Sequence, residues 1–392
     1  MAEKAFITPM ILKWARESAR ISLEDSAKKV NVSIEKFTTW ENGTDYPTIR
    51  QAQILAKSYR RPFSLFFLPE IPRDFHPLQD FRKSDSLKLD TASLFIIREI
   101  QQKQTWISEL FEDSREDSLP FVGKFSINSN PKDVANDILE TLKIIPGNYQ
   151  KEPINEWIEK TELAGIFISR TSFIHSKLIL NKDIIQGFAI ADKFAPFIFI
   201  NSKNWKAPQL FTLVHELVHI WISESGISNE IDIDFSEKNK SKYHPVELFC
   251  NEVAANVLMP EEKIRELSSY DFSSNKEIFK NAKEFGISSF ALLVRVLKLN
   301  LVTQVEYKSL KREAENEFAD FLEREQLKKE KQKKNTGGPD PYLLKLNKNS
   351  KLFTRVVMDS FKTGVISPSI ASNLLNTQIN KFQKFEKLLV NV

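Results

Sequence analysis

Two histidines stand four residues apart inside the apolar run Phe211-Thr212-Leu213-Val214-His215-Glu216-Leu217-Val218-His219-Ile220-Trp221, and no other stretch of the chain limits its fold so tightly. On a helix, positions i and i+4 lie one above the other, so both imidazoles face a common point. The flanking residues Phe211, Leu213, Val214, Leu217, Val218, Ile220 and Trp221 call for burial. Polar groups on a buried helix are costly unless each has a partner. A shared metal ion meets that need, with Glu216 standing beside it, and the pattern is that of a zinc hydrolase. The competing reading is a core helix whose two histidines hydrogen-bond internally. Histidine is scarce here, with only His76, His175, His215, His219 and His244 among 392 residues.

A catalytic zinc takes three protein donors and keeps a position open. The third is expected from Val246-Glu247-Leu248-Phe249-Cys250-Asn251-Glu252-Val253-Ala254-Ala255-Asn256-Val257-Leu258-Met259-Pro260, a helix opened by Pro245 and closed at Pro260. Glu247, Asn251, Ala254 and Ala255 share one face at helical spacing, and the alanines allow a close approach to the first helix. Glu247 is therefore read as the third ligand. Glu252 falls off that stripe and reads as a solvated carboxylate. His244, just ahead of the helix, ranks second as a metal donor. In such a site Glu216 takes a proton from the attacking water and passes it to the leaving amine, which is peptide-bond hydrolysis. Tyr243 is a secondary candidate, either stabilising an oxyanion or simply packed.

An ordered set of motifs resembles the ImmA/IrrE family of metallopeptidases. It runs through Gly187-Phe188, Pro196-Phe197-Ile198-Phe199-Ile200-Asn201, Phe211-Thr212-Leu213, His215-Glu216-x-x-His219, Glu247-x-x-Cys250-Asn251, Ala254-Ala255 and Leu258-Met259-Pro260. The resemblance covers roughly residues 150 to 270. It implies that His215, His219 and Glu247 hold zinc, that Glu216 is the catalytic base, and that the substrate is a phage-type or stress-response repressor whose cleavage releases transcription. Val218 and Val253 stand where the family carries glycine and phenylalanine. Residues 165–168, 184–190 and 196–200 read as short strands of a small sheet that packs the metal helices and offers an edge to an extended peptide.

The N-terminus carries a separate pattern. Residues 10–20 read as a helix, and Ser22-Leu23-Glu24-Asp25 opens a second bearing Ala27 and Val30. After the turn Asn31-Val32-Ser33, Ser33 caps a third helix with Ile34, Phe37 and Trp40 on its inner side. Asn42-Gly43 ends it, and Pro47-Thr48 opens a fourth helix with Ile49, Ala52, Leu55 and Ala56. This order, with Trp40-Glu41-Asn42-Gly43 followed by Pro47, resembles the helix-turn-helix domains of the Xre/lambda-repressor type over residues 8 to 61. The resemblance implies DNA binding as a homodimer on palindromic sites, with Ser33, Lys36, Thr38 and Thr39 exposed toward bases or phosphates. Residues 1–61 carry eleven Lys or Arg against seven Asp or Glu, and the resulting +4 equals the net charge of the whole chain. The alternative is a helical bundle used for partner docking.

The expected fold is mainly α within an α+β class. It comprises an N-terminal helix-turn-helix domain of four or five helices (1–70), a helical linker (71–130), a zincin-like peptidase domain with a small sheet and two metal-binding helices (131–270), a helical extension (271–334) and a C-terminal helical unit (340–392). Residues 288–297 read as a further small helical element, structural or substrate-recognising. A single cysteine excludes an internal disulfide framework, and no apolar run has the length of a membrane span, so a cytoplasmic protein without a membrane partner is expected. The functional expectation is a DNA-binding zinc metalloendopeptidase that cleaves a partner repressor or antitoxin-like regulator. Two alternatives stay open: a zinc-binding repressor or sensor without turnover, and a toxin-antitoxin or phage-defence component that uses the zinc fold for protein contact.

Overall fold

A computed structural model describes residues 3–72, 78–80, 88–175, 178–228, 244–332 and 340–390. The chain divides into two compact units. The first takes in the described residues up to 72 together with 88–101 and 173–179, and the second takes in the remainder.

The first unit is built on α1 (Pro9–Ser18), α2 (Leu23–Lys29), α3 (Ile34–Glu41) and α4 (Ile49–Tyr59). Their starts follow from local chemistry. Pro9 opens α1 where no amide donor is needed, and Ser22 and Ser33 accept from the backbone N–H of Asp25 and Lys36. Thr48 and Gln51 form a reciprocal capping box at the head of α4. Ile11, Leu12, Ala15, Phe37, Trp40, Ala52, Leu55 and Tyr59 fill the core. Arg16 of α1 grips Glu41 of α3 through two bonds, Nε to Oε1 at 2.7 Å and Nη2 to Oε2 at 3.0 Å. Such forked pairs fix the angle between helices as well as their distance. Ile34 departs from the sequence expectation: it is 40% exposed. It sits in the first turn of α3, while Phe37 and Trp40, three and six residues on, supply the inner face. The beginning of α5 (Thr91–Asp113) belongs to the same unit, where Arg98 donates to the Ser18 carbonyl at 2.7 Å. A short antiparallel hairpin, β3 (Phe173–His175) with β4 (Leu178–Ile179), completes the unit.

The second unit centres on a five-stranded mixed sheet. Its strands are β1 (Gln79–Asp80), β2 (Phe167–Thr171), β5 (Gly187–Ile190), β6 (Phe197–Asn201) and β7 (Gly226–Ser228), in the order β1-β7-β5-β6-β2. β2 runs parallel to β6, β5 is antiparallel to both β6 and β7, and β1 is parallel to β7. Every residue of β5 and β6 is buried. That explains the continuous apolar sequence of these strands, since a sheet covered on both sides does not alternate polar and apolar. One face presents Ile168, Ala189, Ile198 and Ile200 to the apolar side of α8 (Lys206–Trp221). The other is a layer of phenylalanines: Phe167 stacks on Phe197 at 5.5 Å and Phe188 on Phe199 at 5.1 Å.

Around this sheet lie α6 (Pro131–Leu142), α7 (Pro153–Leu163), α9 (Pro245–Leu258) and α10 (Glu261–Arg265), then α11 (Asn275–Phe285), α12 (Ser289–Lys298) and α13 (Gln304–Gln332), and finally α14 (Pro341–Asn349), α15 (Lys351–Lys362), α16 (Pro368–Leu374) and α17 (Phe382–Val390). α6 packs on α9 and α8 packs on both α9 and the sheet, so the two helices of the motif region are clamped between neighbours. Arg295 of α12 donates to the Met259 carbonyl at 3.0 Å and to Asn256 Oδ1 at 2.8 Å, tying the 288–297 element to the end of α9. The segment 184–190, expected as one strand, is extended only from Gly187; before it, Ile184 and Ile185 lie in a turn whose Ile185 carbonyl accepts from Asn201 Nδ2 at 3.0 Å. No described helix is long and apolar enough to cross a membrane.

Candidate metal centre

α8 forms because Gln209 through Trp221 is an unbroken run of residues that all find burial, and a run of that length suits a helix rather than a strand. His215, Glu216 and His219 have no exposed surface. The helix ends at Trp221, and the chain turns at Ser223, whose φ of 57° is left-handed. That turn swings the Glu224 carbonyl back to His219 Nδ1, at 3.1 Å. On α9, Asn251 lies four residues after Glu247 and places its Oδ1 2.9 Å from His215 Nδ1. Both partners are oxygen acceptors, so both imidazoles carry their proton on Nδ1 and turn Nε2 inward.

The two inward nitrogens are 3.2 Å apart. Glu247 closes the figure, with Oε2 at 3.2 Å from His215 Nε2 and Oε1 at 3.2 Å from His219 Nε2. Two lone-pair nitrogens and a carboxylate repel one another at this distance unless a proton or a cation sits among them. Tetrahedral coordination at about 2.0–2.1 Å sets donor atoms about 3.3–3.4 Å apart, so this triangle fits a zinc-sized ion. Burial disfavours charge on Glu247, but the His215 charge and hydrogen bonds to both imidazoles outweigh it and bring the carboxyl down to about 2. Burial likewise opposes the charge on His215, but Glu247 outweighs it and the shift is upward, whereas in His219 burial prevails and the shift is downward.

Glu216 follows His215 on α8 and faces the first residue of β5. A Cβ built on Gly187 would lie 2.8 Å from Glu216 Oε1 and 2.6 Å from Thr212 Cγ2, closer than real side-chain contacts come. Glycine at 187 is therefore what lets the sheet approach the glutamate. Sequence reasoning does not assign Asn251, Glu224 or Gly187 a part in the site. Asn251 is legible as a member of the α9 stripe, and Gly187 as a lone glycine entering a strand, but the Glu224 carbonyl has no side-chain signature.

The other residues singled out in the sequence sit elsewhere. His244 is exposed and acts as the N-cap of α9, its Nδ1 facing the Val246 N–H at 3.4 Å. Glu252 is exposed. Tyr243 lies outside the described residues. Cys250 is fully buried beside the histidines, and burial pushes its thiol well up from the usual range. Val218 and Val253 are fully buried core residues.

In the first unit, Ser33 and Lys36 are exposed, whereas Thr38 and Thr39, expected to be exposed, are half-buried and donate their hydroxyls to the carbonyls of Ile34 and Lys36, one turn back on α3. Lys36 pairs with Asp45, as does Lys4, and the two ammonium groups hold the Asp45 carboxyl far below the usual range.

Residues 165–297 match the Peptidase_M78 family model, described as the IrrE N-terminal-like domain, a metallopeptidase family. The matched segment contains β5, β6, α8 and α9, and therefore the whole donor triangle. A comparison with curated proteins finds no match.

Proposed function

We propose, from the IrrE N-terminal-like match and the converging donors of α8 and α9, that the second unit is a zinc-dependent endopeptidase whose metal is held by His215, His219 and Glu247. The observation that carries this reading is the triangle of two Nε2 atoms and one carboxylate, each pair 3.2 Å apart, with a buried glutamate directly beside it. A bound zinc ion would supply Lewis acidity toward water and the scissile carbonyl. This chain's own residues do the rest. Asn251 and the Glu224 carbonyl hold the imidazole tautomers, Glu216 accepts the proton of the attacking water, and Glu216 then donates that proton to the departing amide nitrogen. Glu216 is fully buried, with Gly187 of β5 against it, which keeps bulk water from the carboxylate.

The substrate we propose is a partner repressor or antitoxin-like regulator, cleaved to release transcription. The first unit would bring the peptidase to DNA through α3, with Ser33 and Lys36 outward and Thr38 and Thr39 at the margin. Support comes from the capped helix pair α2–α3 and from the basic excess of residues 1–61.

Metal analysis and cleavage assays together test the peptidase. The wild type should hold about one zinc per chain. Glu247→Ala should lose it, and Glu216→Gln should keep the zinc while losing cleavage of a neighbouring repressor. Zinc lost from Glu216→Gln, or kept by Glu247→Ala, would refute the roles assigned here. For the DNA arm, Lys36→Ala combined with Thr39→Ala should weaken binding to the protein's own promoter in a mobility-shift titration; unchanged binding would place the recognition surface elsewhere.

A further inference from the structure

Residues 340–392 carry eight Lys or Arg against three Asp or Glu, a local charge of +5 that exceeds the +4 of the whole chain. Two of the three acids are committed within the fold. Asp340 caps α14 by accepting from the Tyr342 N–H at 2.7 Å, and Glu386 of α17 pairs with Lys362 of α15 at 2.7 Å. Among the described residues, no acid lines the cavity of about 680 Å³ formed by α14, the end of α16 and the turn that leads into α17. Its cations are Lys345 of α14 and Lys381 just ahead of α17, and Ser372, Asn373, Asn376 and Gln378 add neutral donors. Lys345 Nζ donates to the Asn376 carbonyl and to Thr377 Oγ1, both at 3.2 Å, which leaves one ammonium N–H for a ligand. The loop that carries these groups is fixed from two sides: Asn376 turns it with a left-handed φ of 47°, and Asn349 Nδ2 donates to the Leu375 carbonyl at 3.1 Å. Donors held in place before a ligand arrives lose little freedom when it binds.

A lining of ammonium, amide and hydroxyl groups without a carboxylate repels cations and offers little to an apolar body. A phosphate monoester is its complement, with a charge of about −1.5 to −2 and three strong acceptor oxygens. The volume falls within the range of about 300–1,000 Å³ typical of small-molecule sites, which leaves room for an organic body beside the phosphate. We propose that this cavity binds a phosphate-bearing small molecule, with the phosphate between Lys345 and Lys381 and the organic body against Ile379 and Tyr342. The Lys384 ammonium, 4.5 Å from the centroid of the Tyr342 ring, adds a third cation to the same neighbourhood. α14 also joins the cavity to the sheet that carries α8, because Ser169 Oγ of β2 donates to the Lys348 carbonyl at 2.6 Å.

Titration calorimetry of the full chain with inorganic phosphate, against sodium chloride at matched ionic strength, tests this without reference to the metal centre. The expected result is one saturable phosphate site per chain that Lys381→Glu weakens about tenfold or more, the loss of one charge-assisted contact. Lys381 is exposed, so the fold tolerates its replacement. Lys387→Glu makes the same change of charge on α17 outside the cavity and should keep the wild-type affinity. Absence of saturable binding, or equal weakening by the two variants, would overturn the proposal. Phosphate displaced from the site by short duplex DNA would overturn it too, and would assign these lysines to a nucleic-acid backbone.

Discussion

At the residue scale, the site depends on groups that do no chemistry themselves. Gly187 is the clearest case, because its missing side chain is the space that Glu216 and Thr212 occupy. Gly187→Ala forces either the strand or the Glu216 carboxylate to move, and misplacement by about 1 Å costs on the order of 100-fold in rate. The expected outcome is a kcat lowered by that order with zinc content unchanged, read from single-turnover cleavage alongside metal analysis. A variant that cleaves normally would show that Glu216 does not need this contact. Asp45 tunes the opposite end of the chain. Its carboxylate binds Lys36 and Lys4, so Asp45→Asn should release two ammonium groups toward phosphate. On the DNA-binding role proposed above, affinity should rise and its salt dependence steepen, by about one unit of slope for each phosphate newly neutralised. A salt titration that gives the wild-type slope would mean that neither ammonium reaches the DNA.

At the element scale, helix starts are the most legible part of the sequence. Ser22, Ser33 and Thr48 cap α2, α3 and α4 because a side-chain oxygen satisfies an amide that the helix cannot, and that need is local. α6 and α7 open at Pro131 and Pro153, and of the two α6 alone has a side-chain cap, Asn130 accepting from the Lys132 N–H; the sequence expectation names no helix at either place. β1 and β7 are illegible for a better reason: strands of two and three residues have no periodicity, and only their ladder partners define them. The junction of α14 and α15 shows how an element gains meaning from its contacts. Ser350 Oγ donates to Glu162 Oε1 at 2.5 Å, and the Leu352 N–H donates to the same oxygen at 3.3 Å. Burial is the strongest influence on Glu162 and raises its pKa, against the opposing pull of these donors and of Lys351. A carboxyl held higher in the folded state keeps its proton after the unfolded chain has released it. Stability from this group is therefore lost as pH rises from the ordinary glutamate value of 4.5 toward the folded value. Glu162→Gln keeps an acceptor for Ser350 and cannot ionise, so its melting temperature relative to wild type should improve as pH climbs through that window. A constant difference across pH would mean that Glu162 is not protonated in the fold.

At the scale of the whole molecule, the C-terminal helices belong to the second unit rather than trailing from it. Phe353 of α15 is fully buried, meets Phe197 at 6.4 Å, and so covers the phenylalanine face of the sheet whose other face carries α8. Lys103 donates to Asn349 Oδ1 at 2.9 Å in the same buried layer. Phe353→Ala should cost about 3–5 kcal/mol, read from urea midpoints, and the metal site should fail in the same transition because one sheet supports both layers. A separate, earlier transition that leaves zinc bound would show two independently folding layers instead. The sequence alone determined the chemistry that is periodic or local: a helix with His215 and His219 on one stripe and Glu216 beside it, a second with Glu247 and Asn251 on another, and the capped N-terminal helices. These follow from spacing along a single helix, which the chain carries wherever it goes. Tertiary structure alone decided that the Glu224 carbonyl orients His219, that Gly187 makes room for Glu216, that Cys250 sits beside both histidines, and that Phe353 shields the far side of the sheet. Each of these joins residues distant in sequence or depends on a backbone group with no side-chain mark, and only packing brings such groups within a few ångströms of one another.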